Sequence, residues 1–374
     1  MSEITVTPVS TRNDRKEFLQ FAWDLYQGDP NWVPPLLDNI KQMLGWKKHA
    51  FHEIADVECF LARRDGKVVG RIAAIENREH NREYKEKRGF FGFFECIDDQ
   101  DVANALFDEA TNWCRQRGLT AMRGPANPSM NYECGLLIDG FDRMPVFMMT
   151  YNPPYYEKLV DNYGFGKAHD LLAYIGDIEQ LPDVDKKLGP IIEQAKERSG
   201  AKLRPMNRAR FREDVDTFLE MYNRACGEMW GFVPLTRGEV HALGASLKWL
   251  LVRDLALIAE VDGETVGVVV GLPDFNPAIK RIKGRLFPFG FLKLLAAKRK
   301  IEIFRVVSID VVPEYQRWGL GLVLMNGLVP KALALNVKHA EFSWVSEDNS
   351  LARGGLEKGG ARKYKTYRMY DIEL

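Results

Sequence analysis

The chain has 374 residues, more than the roughly 250–300 that one hydrophobic core commonly serves, so two domains are expected. It is 46% hydrophobic and 28% charged, with 52 basic against 52 acidic residues and a formal net charge of zero. That balance excludes a global basic field for nucleic acid, and no uninterrupted apolar run approaches the ~18 residues of a membrane-spanning helix.

Read in chain order, an amphipathic stretch at 15–26 predicts a first helix and leads into Trp32-Val33-Pro34-Pro35-Leu36. Two β-branched runs within 59–75 flank Asp65-Gly66, the dipeptide that supplies the positive φ angles of a tight hairpin. A strand at 89–96, a helix at 101–117, a strand at 121–124, a helix at 155–162 and a strand at 170–175 follow. Residues 183–199, bounded by Pro182 and Gly200, read as a helical linker. The order then repeats. An amphipathic stretch at 213–226 leads to Trp230-Gly231-Phe232-Val233-Pro234-Leu235, and a hairpin at 255–271 turns on Asp262-Gly263. A strand at 304–312, a helix at 319–335, a strand at 340–345, a helix at 350–358 and a strand at 363–373 complete it. The shared order points to a duplicated α/β (α+β) unit. The expected boundaries are 1–180 for the first unit, 181–203 for the linker and 204–374 for the second, which alone carries an insertion at 275–303.

The five cysteines, Cys59, Cys96, Cys114, Cys134 and Cys226, form no CxxC pair, so neither a disulfide framework nor a zinc site is expected. His80, His169, His241 and His339 are scattered without metal-ligand spacing. Residues 1–6 lack the charged-then-apolar layout of a leader, and the expectation is a reduced, cytoplasmic protein.

One segment carries chemistry. Ile309-Asp310-Val311-Val312-Pro313-Glu314-Tyr315-Gln316-Arg317-Trp318-Gly319-Leu320-Gly321 follows an apolar strand and opens a helix. A helix start leaves its first N–H groups unpaired and carries partial positive charge, which suits a diphosphate. Gly319 and Gly321 lack a Cβ, so phosphate oxygens can approach the backbone. Pro313 ends the strand ladder, and the freed backbone of Val311 and Val312 suits strand-like recognition of an amide-bearing arm.

These residues resemble the acetyl-CoA loop of the GCN5-related N-acetyltransferases, matching its pattern at Ile309, Val311, Pro313, Gln316, Gly319 and Gly321. A second family signature, a strand ending in Asn before a short helix, resembles 342–352, with Asn349 at the family's Asn. Capping of that helix by Asn349 or Ser350 explains the same residues. The resemblance implies two tandem acyl-CoA N-acyltransferase units, each a mixed, mostly antiparallel sheet flanked by helices. It implies acetyl-CoA or another acyl-CoA as co-substrate, no metal, and an amine of a small molecule or peptide as acceptor. The diphosphate would lie on Gln316, Arg317, Trp318, Gly319, Leu320 and Gly321, and the pantetheine on Val311 and Val312. At the corresponding place the first half has Ile97-Asp98-Asp99-Gln100-Asp101-Val102, whose three aspartates would repel a diphosphate.

Amide formation needs a base for the amine. Asp310 on the strand, Glu347 after the next one, and Glu228 beside Trp230 are the candidates. The resemblance places an acid tyrosine seven residues after Asn349, where this chain has Leu356. Tyr367 is the substitute favoured here, with Tyr364, Tyr370 and Tyr156 as others. A binding or scaffolding protein without turnover is the second reading. The insertion at 280–295, basic and aromatic, reads either as a packed helical excursion or as a wall or membrane-surface contact. The oligomeric state is open.

Overall fold

A computed structural model describes residues 3–225, 227 and 229–374. The first half runs β1 (Ile4–Pro8), α1 (Arg12–Leu25), α2 (Leu37–Met43), β2 (Ala55–Arg64), β3 (Lys67–Asn77), α3 (Arg78–Tyr84), β4 (Arg88–Cys96), α4 (Gln100–Gln116) and β5 (Ala121–Gly124). Two short strands, β6 (Ala126–Asn127) and β7 (Glu133–Cys134), precede β8 (Leu136–Asp139), α5 (Tyr156–Tyr163) and β9 (Gly166–Asp177). The second half runs α6 (Leu181–Ser199), β10 (Lys202–Pro205), α7 (Phe211–Ala225), α8 (Arg237–Leu247), β11 (Ala256–Val261) and β12 (Glu264–Pro273). Then come α9 (Asn276–Arg281), α10 (Gly290–Ala297), β13 (Ile303–Val311), α11 (Pro313–Gln316), α12 (Leu320–Ala334), β14 (His339–Ser346), α13 (Ser350–Lys358) and β15 (Arg362–Glu373). This is the expected class: mixed, mainly antiparallel sheet flanked by helices.

Local chemistry sets the element ends. Thr11 and Asp14 cap α1 reciprocally, as Thr236 and Glu239 cap α8, each satisfying helix-start N–H groups. Both hairpins turn where expected, at Asp65 and Gly66 (φ 51° and 75°) and at Asp262 and Gly263 (φ 51° and 87°).

The chain divides into two compact units, Met1–Leu171 with Thr366–Leu374, and Leu172–Lys365. In the first, β1 to β4 pair antiparallel in sequence and β4 pairs parallel with β5. The far end of β15 pairs antiparallel with β5, from Tyr370 opposite Gly124 to Glu373 opposite Ala121. Phe91, Phe94, Phe107 and Phe165 fill that core beneath α4. In the second unit β10, β11, β12 and β13 pair antiparallel in turn and β13 pairs parallel with β14. Its core joins Val268, Val269, Phe304 and Val306 to Leu320, Leu324 and Leu328 of α12.

Two expectations about boundaries meet a different arrangement. The segment read as a linker is built into the second unit, where α6 packs on α12 and β10 pairs with β11. The last nine residues, expected in the second unit, belong to the first. Cys59, Cys96, Cys114 and Cys134 are free and buried, whereas Cys226 lies outside the described residues. No helix among the described residues is long and apolar enough to cross a membrane.

Candidate functional site

The site lies where two parallel strands part. β13 pairs with β14 only from Ile303 opposite His339 to Val306 opposite Phe342. Its pairing with β12 runs on to Val311 opposite Gly267. At the parting point β13 bulges: Val270 faces Ser308 and Gly271 faces Val306, which leaves Val307 extra. A bulge bends and twists its strand, here opening one edge of β13. Val312 donates its N–H to the Val266 carbonyl at 3.1 Å and accepts at its own carbonyl from Tyr315 N at 2.9 Å. Strand alternation then turns Val311 and Ile309 to the open edge. The backbone of Val312, expected to share the arm with Val311, is bonded to Val266 and Tyr315, whereas that of Ile309 faces the same edge as Val311. The Val311 carbonyl accepts from Gln316 Nε2 at 3.0 Å.

After Val312 the short α11 turns into α12. Gly319 stands before α12 at φ 82°, a left-handed conformation that favours glycine, and no side chain caps the helix start. Leu322 N is already bonded to the Gly319 carbonyl at 2.9 Å. The helix-start N–H groups left without a partner inside the helix are therefore those of Leu320, which is buried, and of half-buried Gly321. Gly321 is informative. A Cβ there would meet only Ile309 Cγ2, at 3.8 Å, so packing does not require glycine. Half-buried Trp318 tilts against Tyr315 at 4.8 Å, with the Arg198 guanidinium 5.0 Å from its ring. Gln316 and Arg317 are exposed.

The first unit closes the same features. Asp99 Oδ1 accepts from Asp101 N at 3.0 Å and Val102 N at 3.3 Å, capping α4. Arg64 donates to Asp99 Oδ2 at 2.7 Å and holds that carboxyl below its usual pKa. At the end of β4, Cys96 N donates to Tyr156 Oη at 2.8 Å and Tyr155 Oη donates to the Cys96 carbonyl at 2.7 Å. Tyr156 and Tyr26 both donate to Glu95 Oε2, at 2.7 and 2.8 Å. Burial raises the Glu95 pKa, with Arg71 opposing. Side chains of the protein thus occupy the helix start and the strand end that remain open in the second unit. Tyr156, a candidate acid by sequence, is fixed in this plug.

The catalytic candidates scatter. Asp310 is 2% exposed and accepts from Ser308 Oγ at 2.6 Å, on the strand face opposite Ile309 and Val311. Glu347 is half-buried past the end of β14, its carbonyl accepting from Arg353 Nη1 at 2.7 Å. Asn349 is exposed and caps α13, accepting from Ala352 N at 2.9 Å. Leu356 is buried with Tyr174, Val345 and Ala361. Tyr367 is fully buried opposite Leu137, and Tyr370 is buried opposite Gly124, both in the first unit. Tyr367 thus belongs to the first unit and Asp310 to the second. Glu228 lies outside the described residues.

Sequence reasoning missed the charges at the root of the opening. Arg305 is buried on β13, donating from Nε to Ser343 Oγ at 2.9 Å and from Nη2 to the Ser343 carbonyl at 3.1 Å. Directly opposite it lies fully buried Glu341, whose pKa burial raises while Arg305, Ser343 and Tyr364 counteract. Lys365, also fully buried, sits beside them. Isolated charges inside the apolar runs 303–312 and 339–346, Arg305 in the first and Glu341 in the second, were the available signal. No group of three metal-ligating side chains occurs among the described residues. A groove of about 400 Å³ in the first unit, lined by Arg12, Arg15, Lys16, Leu19, Lys41, Trp46 and Lys47, contains none of the site residues.

No family model matches the chain. It is 36% identical to the bacterial ceramide synthase of Caulobacter vibrioides, covering 100% of this chain and 98% of that one. It is 34% identical to protein YghO of Escherichia coli, covering 97% and 94%. Among solved structures, a tandem GNAT protein from the clavulanic acid biosynthesis pathway superposes over 99% of this chain and 98% of its own, with a TM-score of 0.59 and 12% identity. The chain belongs to the family of the first two proteins, and its fold is that of the tandem GCN5-related N-acetyltransferases. The tandem arrangement read from the repeated element order matches the fold of that tandem GNAT protein. Its fold is that of acyl-CoA-dependent N-acyltransferases.

Proposed function

We propose that this protein transfers an acyl group longer than acetyl from coenzyme A to the amine of a long-chain amino alcohol, forming a ceramide-type amide. The second unit, Leu172–Lys365, does this work, and the first supplies no CoA site. The observation that carries the CoA part is the uncapped start of α12, with a glycine at 321 that packing does not demand. The diphosphate lies on the backbone of Gln316–Gly321, and the arm enters between β13 and β14 along Ile309 and Val311. Full-length likeness to a protein named a ceramide synthase supports the acyl length and the acceptor class.

The amine nitrogen attacks the thioester carbonyl. A C–N bond forms, the C–S bond breaks, and the amine proton passes to Asp310, which Ser308 holds beside the bulge. A thiol has a pKa near 8.5, so the thiolate leaves readily and takes a proton from water. That chemistry tolerates leucine at 356, where the family places its tyrosine. Leu356 also motivates the binding-only reading.

Incubation with acetyl-, octanoyl- and palmitoyl-CoA and a panel of amines, reading free thiol and the mass of the amide, separates the two. Turnover with the long acyl donor and a long-chain amino alcohol is expected. Stabilisation by CoA without turnover would establish binding alone, and absence of any CoA affinity would end both readings.

A further inference from the structure

The insertion of the second half has no part in the chemistry above. It leaves the sheet after Asp274, forms α9 and α10, and is held down by Phe275, Ile279, Ile282 and Leu294, all buried. Between these anchors large apolar side chains face outward: Phe287 is 88% exposed, Phe289 66%, Leu292 60% and Phe291 38%. Isolated apolar side chains on a surface are ordinary, but four within residues 287–292 form a patch.

Charge identifies the occupant. Between Asp274 and Glu302 the chain has eight lysines and arginines and no carboxylate, although its net charge is zero. Arg281, Lys283, Arg285 and Lys293 are exposed, with no ion pair among the described residues. A second copy seated on this patch would bring the same cations face to face, which Coulomb repulsion opposes. An anionic bilayer offers acyl chains for the aromatic rings and phosphates for the cations.

We propose that residues 280–295 dock this protein on an anionic lipid surface, with Phe287, Phe289 and Leu292 inserted at the headgroup boundary and the flanking cations on lipid phosphates. The docking is independent of the acyl acceptor, and vesicle binding reads it without catalysis.

The test is co-sedimentation of the full chain with phosphatidylcholine vesicles, with and without about a third phosphatidylglycerol. Binding to the anionic vesicles alone, weakened by raised salt, is expected. Phe287→Ser/Phe289→Ser/Leu292→Ser should lower partition at least about tenfold. Lys283→Gln/Arg285→Gln/Lys293→Gln should lower it roughly fivefold per charge. Both variants should melt as the wild type does. Phe289→Trp should place a fluorophore that brominated lipid quenches. Wild type that stays in the supernatant, or an apolar variant that binds as well as wild type, would overturn the proposal. So would self-association through this patch, abolished in the apolar variant, with no vesicle binding by either.

Discussion

Gly319 and Gly321 lie two residues apart and answer to different demands. Gly319 stands at φ 82°, and a Cβ there would meet Ala195 Cβ at 3.1 Å. Gly319→Ala should therefore cost about 1 kcal/mol whether or not CoA is present. Gly321 lies within α12 with ordinary space around it, so Gly321→Glu should keep the fold, and an acid near a helix start adds about 0.3–1 kcal/mol. The same carboxylate would stand where the diphosphate lies. Calorimetry with CoA at a hundredfold excess over its Kd should show about 2.7 kcal/mol of stabilisation for wild type and none for Gly321→Glu. A retained shift would move the site elsewhere. Asp310→Asn keeps a partner for Ser308 but removes the base. Its CoA stabilisation should match wild type while kcat falls about 10²–10⁴-fold; unchanged kcat would remove Asp310 from the chemistry. At this scale the sequence marked the glycines, because a motif is a local pattern. It could mark Glu341 as a charge inside an apolar run but not its partner, because Arg305 lies opposite it on a strand that is distant in sequence.

Helices α4 and α12 begin at corresponding places in the two halves and end their search for charge differently, one with its own Asp99 and the other with nothing. Both helices were legible in the sequence, α4 from its apolar periodicity and α12 from the glycine turn that opens it, within a residue or two of 100–116 and 320–334. Less legible were α2, α3, β1 and β10, which are short and owe their form to neighbours rather than to their own pattern. The brief α3 depends on one neutral imidazole. His80 is buried, stacks on Tyr84 at 4.6 Å, meets Phe90 edge-on at 4.8 Å, and bonds Glu86 through Nε2 at 2.6 Å. Burial drives its pKa down to about 4, against the pull of Glu86. A depressed folded pKa means the contribution is intact above the unfolded value of about 6.5 and is lost as pH falls towards 4. The loss amounts to about 3 kcal/mol, and denaturant melts at pH 7.5 and 4.5 should show it. His80→Phe should remove that share of the pH slope; an unchanged slope would mean His80 is protonated in the folded state.

Across the whole molecule the chain passes between its units twice, and both passages fall inside strands, β9 and β15. Sequence order suggested a clean cut near 180–204 because repeats are read along the chain, whereas a strand joins whichever sheet offers it an edge. The end of β15 is fastened firmly to the first unit. Tyr370 to Glu373 pair with Gly124 to Ala121, and Leu374 N donates to the Thr120 carbonyl at 2.9 Å. Arg123 grips Asp371 with both arms at 2.7 and 2.8 Å, and Arg88 reaches the same carboxylate at 3.0 Å. Removing residues 366–374 would expose the edge of β5 and take Asp371 from the largely buried Arg123, while Arg88 keeps Glu86, and breaking a buried pair costs roughly 3–5 kcal/mol. That is a large share of the 5–15 kcal/mol that holds a typical domain. The fragment 1–171 should therefore lack cooperative unfolding and near-ultraviolet dichroism, and a circular permutant that places 366–374 beside residue 4 should restore both. A fragment 1–171 that melts cooperatively on its own would show that the final strand decorates the first unit rather than completing it.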